Sequence, residues 1–201
     1  MTITHDRRFG PYTVEDLHAR DDDGKGFELE DGWLVELSLS SPHNWAAQCV
    51  SDVVRSAAED AKAEVFVAFG GGWEITTPTG IRKPDVFVVP KGVARASIVH
   101  REPMTVHGME VLLAVEVVSP GSGSERRDRV RKVREYAACG IAQYWIVDLE
   151  PRPRVQVLLL DDGANAYRLD RTVTAGEVLT AEIKADVAFT VEFDPRVMIE
   201  F

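Results

Sequence analysis

The alternation of apolar and polar positions divides the chain into short strands around three helical stretches. Val111 to Val118 is an apolar, β-branched run of strand length that stops at Ser119-Pro120. That is the pattern of a strand buried on both faces. It carries one ionisable residue, Glu116, whose carboxylate needs a cation, a hydrogen-bonded partner or a route to water. A helix is predicted next. Ser122 and Glu125 have capping-box spacing, and Gly140 would end the helix in a left-handed turn. Val130, Val133 and Ala137 make its apolar stripe, with Asp128, Lys132 and Tyr136 four apart beside it. Gln143 to Asp148 starts a second buried strand. Strand, helix and strand then form a crossover, with ligand-binding groups expected at the strand ends.

The same patterning places the other elements. Thr13 is a candidate N-cap for a short helix from Val14 to Ala19. Asp21-Asp22-Asp23-Gly24 reads as a loop and lacks the distal Glu of an EF-hand. Phe27 to Leu29 and Trp33 to Leu37 flank the hairpin signal Asp31-Gly32. Ser41-Pro42 reads as N-cap and first turn of an amphipathic helix that runs to about Ala61, with Trp45, Cys49, Val53 and Ala57 as its stripe. His43 falls in its first turn, where a lone histidine is more often structural than catalytic. Strands are expected at Val65 to Phe69, Trp73 to Thr77 and Ile81 to Val89, the last with Pro84 where the ladder is open. Pro90 to Gly108 is expected to be irregular with one helical turn. Val155 to Leu160, Tyr167 to Leu169, Val178 to Leu179 and Phe189 to Phe193 give a β-rich tail. The reading is one α/β domain with a mixed central sheet: an N-terminal hairpin at 27–38, a core at about 42–148 and a tail at 155–201.

Composition narrows the class. The chain has 201 residues, 45% hydrophobic and 28% charged, enough for a sizeable core. No run is long enough to span a membrane, and MTITHDRRFG lacks the apolar segment of a signal peptide. Two cysteines, Cys49 and Cys139, give no disulfide framework, so the cytoplasm is the expected compartment. The net charge of −10 argues against loose, charge-driven nucleic-acid binding but leaves room for a local basic surface. Arg126, Arg127, Arg129, Arg131, Lys132 and Arg134 are such a concentration. The bland reading is a solvated helix face with intrahelical pairs to Asp128 and Glu135.

The chemical constellation is Asp85, Glu116 and Lys132. Two carboxylates on adjacent strands would suit Mg²⁺, which takes oxygen ligands and keeps several waters. A nearby lysine would stabilise developing negative charge. On spacing alone, two strand-end acids and an intrahelical Asp128–Lys132 pair explain the same residues. The Ser119 to Ser124 segment lacks the GK[ST] of a Walker A loop, and no G-x-S-x-G elbow accompanies Ser119 and His43.

Pro84-Asp85, then Glu116-Val117-Val118, then Lys132 in the following helix resembles the PD-(D/E)xK nuclease superfamily. More narrowly, FELEDGWLVELSLSSPH, RKPDVFVV and the stretch from Val115 to Asp148 resemble the bacterial Uma-two family of restriction endonucleases. The resemblance implies a restriction-endonuclease-like αβββαβ core and Mg²⁺-dependent phosphodiester hydrolysis, with Mn²⁺ as an alternative metal. It makes Asp85, Glu116 and the Val117 backbone carbonyl metal ligands, and Lys132 the catalytic lysine. The lysine of the parent motif lies two residues after the glutamate, where this chain has Val118. Glu28 matches a recurrent family acid, Glu36 is its rival, and Gln143 stands where the family commonly has glutamate. The implied partners are nucleic acid, DNA foremost, and a second copy of the chain, for which the aromatics of the tail would supply an interface. Two other readings stand beside this one: a catalytically silent DNA-binding or regulatory member of the fold, and an interaction protein without nucleic acid, which the acidic charge suits. Lys132→Ala is expected to leave folding nearly intact and to lower cleavage by about a hundredfold.

Overall fold

In a computed structural model, the described residues are 10–37, 40–70, 72–101, 104–119 and 123–200. In chain order the elements are α1 (Val14–His18), β1 (Phe27–Glu30), β2 (Trp33–Glu36), α2 (Ser41–Asp60), β3 (Val65–Phe69), β4 (Ile75–Thr77), β5 (Gly80–Arg82) and β6 (Val86–Pro90). Next come α3 (Lys91–Arg95), β7 (Val106–His107), β8 (Leu113–Val118), α4 (Gly123–Arg126), α5 (Lys132–Cys139) and β9 (Gln143–Asp148). The tail is β10 (Arg154–Leu159), β11 (Arg168–Thr174), β12 (Leu179–Ile183) and β13 (Phe189–Phe193).

The central sheet has the order β11-β10-β9-β8-β6-β3. It is mixed: β8 and β9 are parallel and β6 is antiparallel to β8. β8 and β9 are buried along their whole length, as their apolar runs require. One face carries Val115, Val117, Trp145 and Val147 and packs on α2 and the β12–β13 hairpin. The other carries Ala114, Val118, Tyr144 and Ile146 and packs on α5. Taken as α2, β3, β6, β8, α5 and β9, the core is the αβββαβ arrangement of restriction-endonuclease-like folds. A second sheet, β2-β1-β5-β4-β7, lies beside it.

The hairpin turn forms as its sequence requires: Asp31 and Gly32 take φ of 48° and 79°, the two positive values of the turn that matches strand twist. Gly140 closes α5 with φ of 79°. Thr13 caps α1 in a reciprocal capping box with Asp16.

Several expectations are corrected. Ile81 to Val89 is not one strand. Pro84 has no N–H to continue a ladder, and the chain passes there from β5 in one sheet to β6 in the other. The N-cap of α2 is Ser40, whose hydroxyl accepts from the His43 amide, one residue before the expected cap. Its buried face runs through Ala46, Val50, Val54 and Ala58, because the helix lies between the sheet and the tail hairpin. The irregular stretch after Pro90 holds α3, a π-helical turn at Ala96–His100 and β7. Val130 is 43% exposed and outside the stripe. The helix is wound as a π-turn over Arg127–Arg131, which shifts the residues before it around the axis. The Ser122 cap lies outside the described residues. The tail aromatics Phe189 and Phe193 are buried in the core and offer no exposed interface. Among the described residues, no helix is long and apolar enough to cross a membrane.

Candidate functional site

The site is built where α5 meets both sheets. β6 starts at Val86, which pairs with Val115 of β8, so the next residue on each strand sets Asp85 opposite Glu116. The β6–β8 ladder stops there, and the Val117 amide, left without a strand partner on that side, donates to Asp85 Oδ2 at 2.7 Å. A strand residue points its N–H and C=O to the same side. The Val117 carbonyl therefore shares the open edge with Asp85. His43, from the first turn of α2, closes the other flank: its Nε2 is 3.1 Å from Asp85 Oδ2. The His43 Nδ1 is buried without a hydrogen-bond partner among the described residues.

Glu116 faces α5. Its Oε1 accepts from the Tyr136 hydroxyl at 2.7 Å and lies 2.9 Å from Lys132 Nζ. Lys132 is also 3.2 Å from both Glu28 and Asp128, and it is 3% exposed. Glu28 enters from β1 and accepts the Lys83 amide at 2.9 Å. Beside it the fully buried Arg82 grips Glu135 through two bonds of 2.6 and 2.7 Å. The Tyr144 hydroxyl donates to the Asp128 carbonyl at 2.9 Å and fixes the π-turn.

The electrostatics follow from this crowding. Burial, joined by repulsion from Asp85, Asp128 and Glu28, outweighs Lys132 and pushes the Glu116 carboxyl well above the usual range. Burial raises Asp128 in the same way. For Glu28 burial also acts upward, but Lys132, Arg82 and the Lys83 amide together hold it below its ordinary value. Burial disfavours the Lys132 ammonium, yet Glu116, Glu28 and Asp128 outweigh it and keep the lysine charged. Burial and then Glu116 keep Tyr136 a phenol, and hence a donor. Burial works against a cationic His43, and Asp85 more than compensates. Glu116, Asp128 and Glu28 thus face one ammonium, with Arg82 shared among three acids. The cluster has an excess of negative charge. Among the described residues no group of three His, Cys, Asp or Glu side chains is arranged to hold a metal ion.

The profile of the Uma2 family, described as "Putative restriction endonuclease", matches residues 14–192. The chain belongs to this family. No curated protein matches it. A solved structure from Anabaena variabilis, described as "a putative nuclease belonging to DUF820", aligns with a TM-score of 0.54 at 14% identity. The alignment covers 83% of this chain and 86% of that one. At that identity the likeness concerns the fold, which is restriction-endonuclease-like.

In this Uma2-family chain the structure brings together Asp85, Glu116, Lys132 and Glu28, from four separated segments. It separates the other two candidates. Glu36 is exposed on the edge strand β2, opposite Phe27. Gln143 opens β9 opposite Leu113, three residues along β8 from Glu116. Its amide donates to the Glu182 carbonyl and its Oε1 accepts from the Trp145 indole at 3.1 Å, tying the sheet to the tail hairpin. Sequence reasoning left Asp128, Tyr136, Arg82 and His43 out of the site. The four-residue spacing of Asp128, Lys132 and Tyr136 was a usable signal. Nothing in the spacing of Arg82 or His43 marked them.

Proposed function

We propose that this chain is a metal-dependent endonuclease that hydrolyses phosphodiester bonds in nucleic acid, DNA foremost. Asp85, Glu116 and the Val117 carbonyl would hold Mg²⁺ or Mn²⁺, and Lys132 supplies fixed positive charge. The observation that carries the reading is a buried ammonium 2.9 Å from Glu116, the residue directly opposite Asp85 across two paired strands. Membership of the restriction-endonuclease family supports it.

The residues fit such a cation. The oxygen donors are hard, the cluster carries surplus negative charge, and burial first, with repulsion from Asp85, Asp128 and Glu28 added, holds the Glu116 carboxyl up. Two carboxylates and a carbonyl leave further positions to water, as Mg²⁺ prefers. The chemistry such an ion would supply there is a lowered pKa for a bound water and an offset to charge on a phosphoryl oxygen. The protein's part is positioning. His43 and the Val117 amide fix Asp85, and Tyr136 fixes Glu116. Lys132, held by Glu116, Glu28 and Asp128, would offset the negative charge that grows on the phosphate.

Plasmid, single-stranded DNA and RNA, incubated with the EDTA-stripped protein and then with Mg²⁺ or Mn²⁺, test the reading. Metal-dependent cleavage that Glu116→Gln abolishes supports it. Intact substrates with either metal overturn it. We also infer a cytoplasmic homodimer, one site for each strand of a duplex. Light scattering that finds only the 22.3 kDa chain refutes the dimer.

A further inference from the structure

The arginines of the α4–α5 segment are only partly neutralised within the helix: Arg131 reaches Glu135 at 3.3 Å, but among the described residues no other arginine lining the pocket pairs with Asp128 or Glu135. Both acids turn inward. Asp128 pairs with the buried Lys132, and Glu135 is gripped by the buried Arg82. Arg129 leaves the face as well, reaching Glu125, Gln156 and Asp148 on the other flank. What remains is a pocket of about 610 Å³ lined by Arg126, Arg127, Arg131 and Arg134, with Val130 and Thr79 as its uncharged walls and Glu30 and Glu135 as its acids.

The balance of charge there is positive. Arg127 and Arg131 share Glu30, and Arg131 also touches Asp31 and Glu135. Arg126 and Arg134 are exposed and make no ion pair among the described residues. Glu135 is already committed to Arg82, so it contributes little to neutralising the pocket. A cationic concavity on a chain of net charge −10 stands out against its own field. Guanidinium groups suit phosphate oxygens because their planar forks can bind two at once. Exposed Val130 offers an apolar wall against which a sugar or base can lie.

We propose that this arginine pocket is a phosphate-binding site that seats the backbone of a nucleic-acid strand. The proposal rests on the nuclease reading, and it names the surface that holds the substrate away from the reacting phosphate. The pocket is joined to the Lys132 cluster by the Glu135–Arg82–Glu28 ion-pair chain, so the substrate-holding face and the catalytic groups share one rigid support.

The test uses Arg126→Gln, Arg134→Gln and the double variant. Among the described residues neither arginine has an ion-pair partner to lose, so the melting temperature should match the parent. Binding of a labelled strand of about twenty nucleotides, in EDTA and at several salt concentrations, is the readout. The double variant should bind about tenfold more weakly or worse. Its slope of log K against log salt should flatten by about 1.4 to 1.8, the loss of two phosphate contacts. Parent-like binding by the double variant overturns the proposal, as does a parent that binds no strand. Inorganic pyrophosphate displacing the strand at equal affinity overturns it too, because the pocket would then take small anions. Cleavage by the parent that the arginines do not affect sinks this proposal and leaves the nuclease reading standing. Arginine-dependent binding without cleavage does the reverse.

Discussion

The Lys132 ammonium lies 2.9 Å from the Glu116 carboxylate and 3.2 Å from that of Glu28, so one side chain of α5 ties the central sheet to the second sheet. An isolated Asp128–Lys132 helix pair is therefore an incomplete description. Lys132 is buried, and the carboxylates around it are buried with it.

This changes what its removal does. Lys132→Met should lower cleavage by about a hundredfold or more, the scale for losing one positioned charge-stabilising group. It should not leave folding intact, as the sequence alone suggested. Three buried carboxylates lose their common cation, a change that costs on the order of 3–5 kcal/mol when a buried pair is broken. The deficit should shrink on acidification. An acid with a raised folded-state pKa binds protons more tightly folded than unfolded, so stability falls as pH rises above the ordinary carboxylate range. Thermal melts of parent and variant at pH 5 and pH 8 check this. A variant that melts with the parent at both values shows that Lys132 is not holding the cluster.

Glu116→Gln should separate function from stability. The parent's Glu116 carboxyl sits well above its ordinary value, chiefly through burial. By the same sign argument, its ionisation destabilises the fold as pH rises from about 4.5, the unfolded value. The amide removes that charge and keeps an oxygen for the Tyr136 hydroxyl. The variant should match or exceed the parent's melting temperature at pH 8, lose cleavage, and gain no stability from added Mg²⁺. A variant that melts well below the parent at pH 8 would show that the ionised carboxylate is a net stabiliser.

Much of this was legible. The unbroken run of β8 placed Glu116 inside a buried strand, and Pro84 marked where the ladder opens, although not that the chain there leaves one sheet for another and sets Asp85 at a ladder's end. Apolar runs and turn residues act locally, so they survive in a sequence read alone. Three things did not. The π-turn moved Val130 outward, because a helix register depends on hydrogen bonds that side-chain spacing does not record. Arg82 carries no local signal, and only the pairing of β5 with β1 brings it to Glu28 and Glu30. The buried aromatics of the tail read as an exposed surface, because nothing in them says that the hairpin folds back on α2.

Gln143 offers a test against the family pattern. Its carboxamide is 7% exposed, donates to the Glu182 carbonyl and accepts from Trp145. Gln143→Glu would set an acceptor against an acceptor, a loss on the order of 1–3 kcal/mol for an unsatisfied buried group. We expect a lower melting temperature at neutral pH and no gain in cleavage. Increased cleavage at unchanged stability would mean that this end of β9 belongs to the site after all.

His43 is the residue whose role the fold redefines most. Asp85 Oδ2 is held between His43 Nε2 at 3.1 Å and the Val117 amide at 2.7 Å, so the carboxylate has one fixed orientation at the open end of the β6–β8 ladder. Histidine supplies the contact from a different layer of the fold, the first turn of α2, which Ser40 caps. Removing it leaves Asp85 tethered on one side only. Loss of such a supporting partner typically weakens metal affinity or activity by about 10- to 100-fold. His43→Ala should therefore raise the Mg²⁺ concentration needed for half-maximal cleavage by about that factor, while excess metal recovers much of the rate. His43→Asn, too short to reach Asp85 as the imidazole does, should behave likewise. Lys132→Met should differ, because no metal concentration restores a missing ammonium. A metal titration of the three variants distinguishes the roles. If His43→Ala loses its rate at every metal concentration without a shift in the midpoint, then the imidazole acts on the substrate itself and not through Asp85.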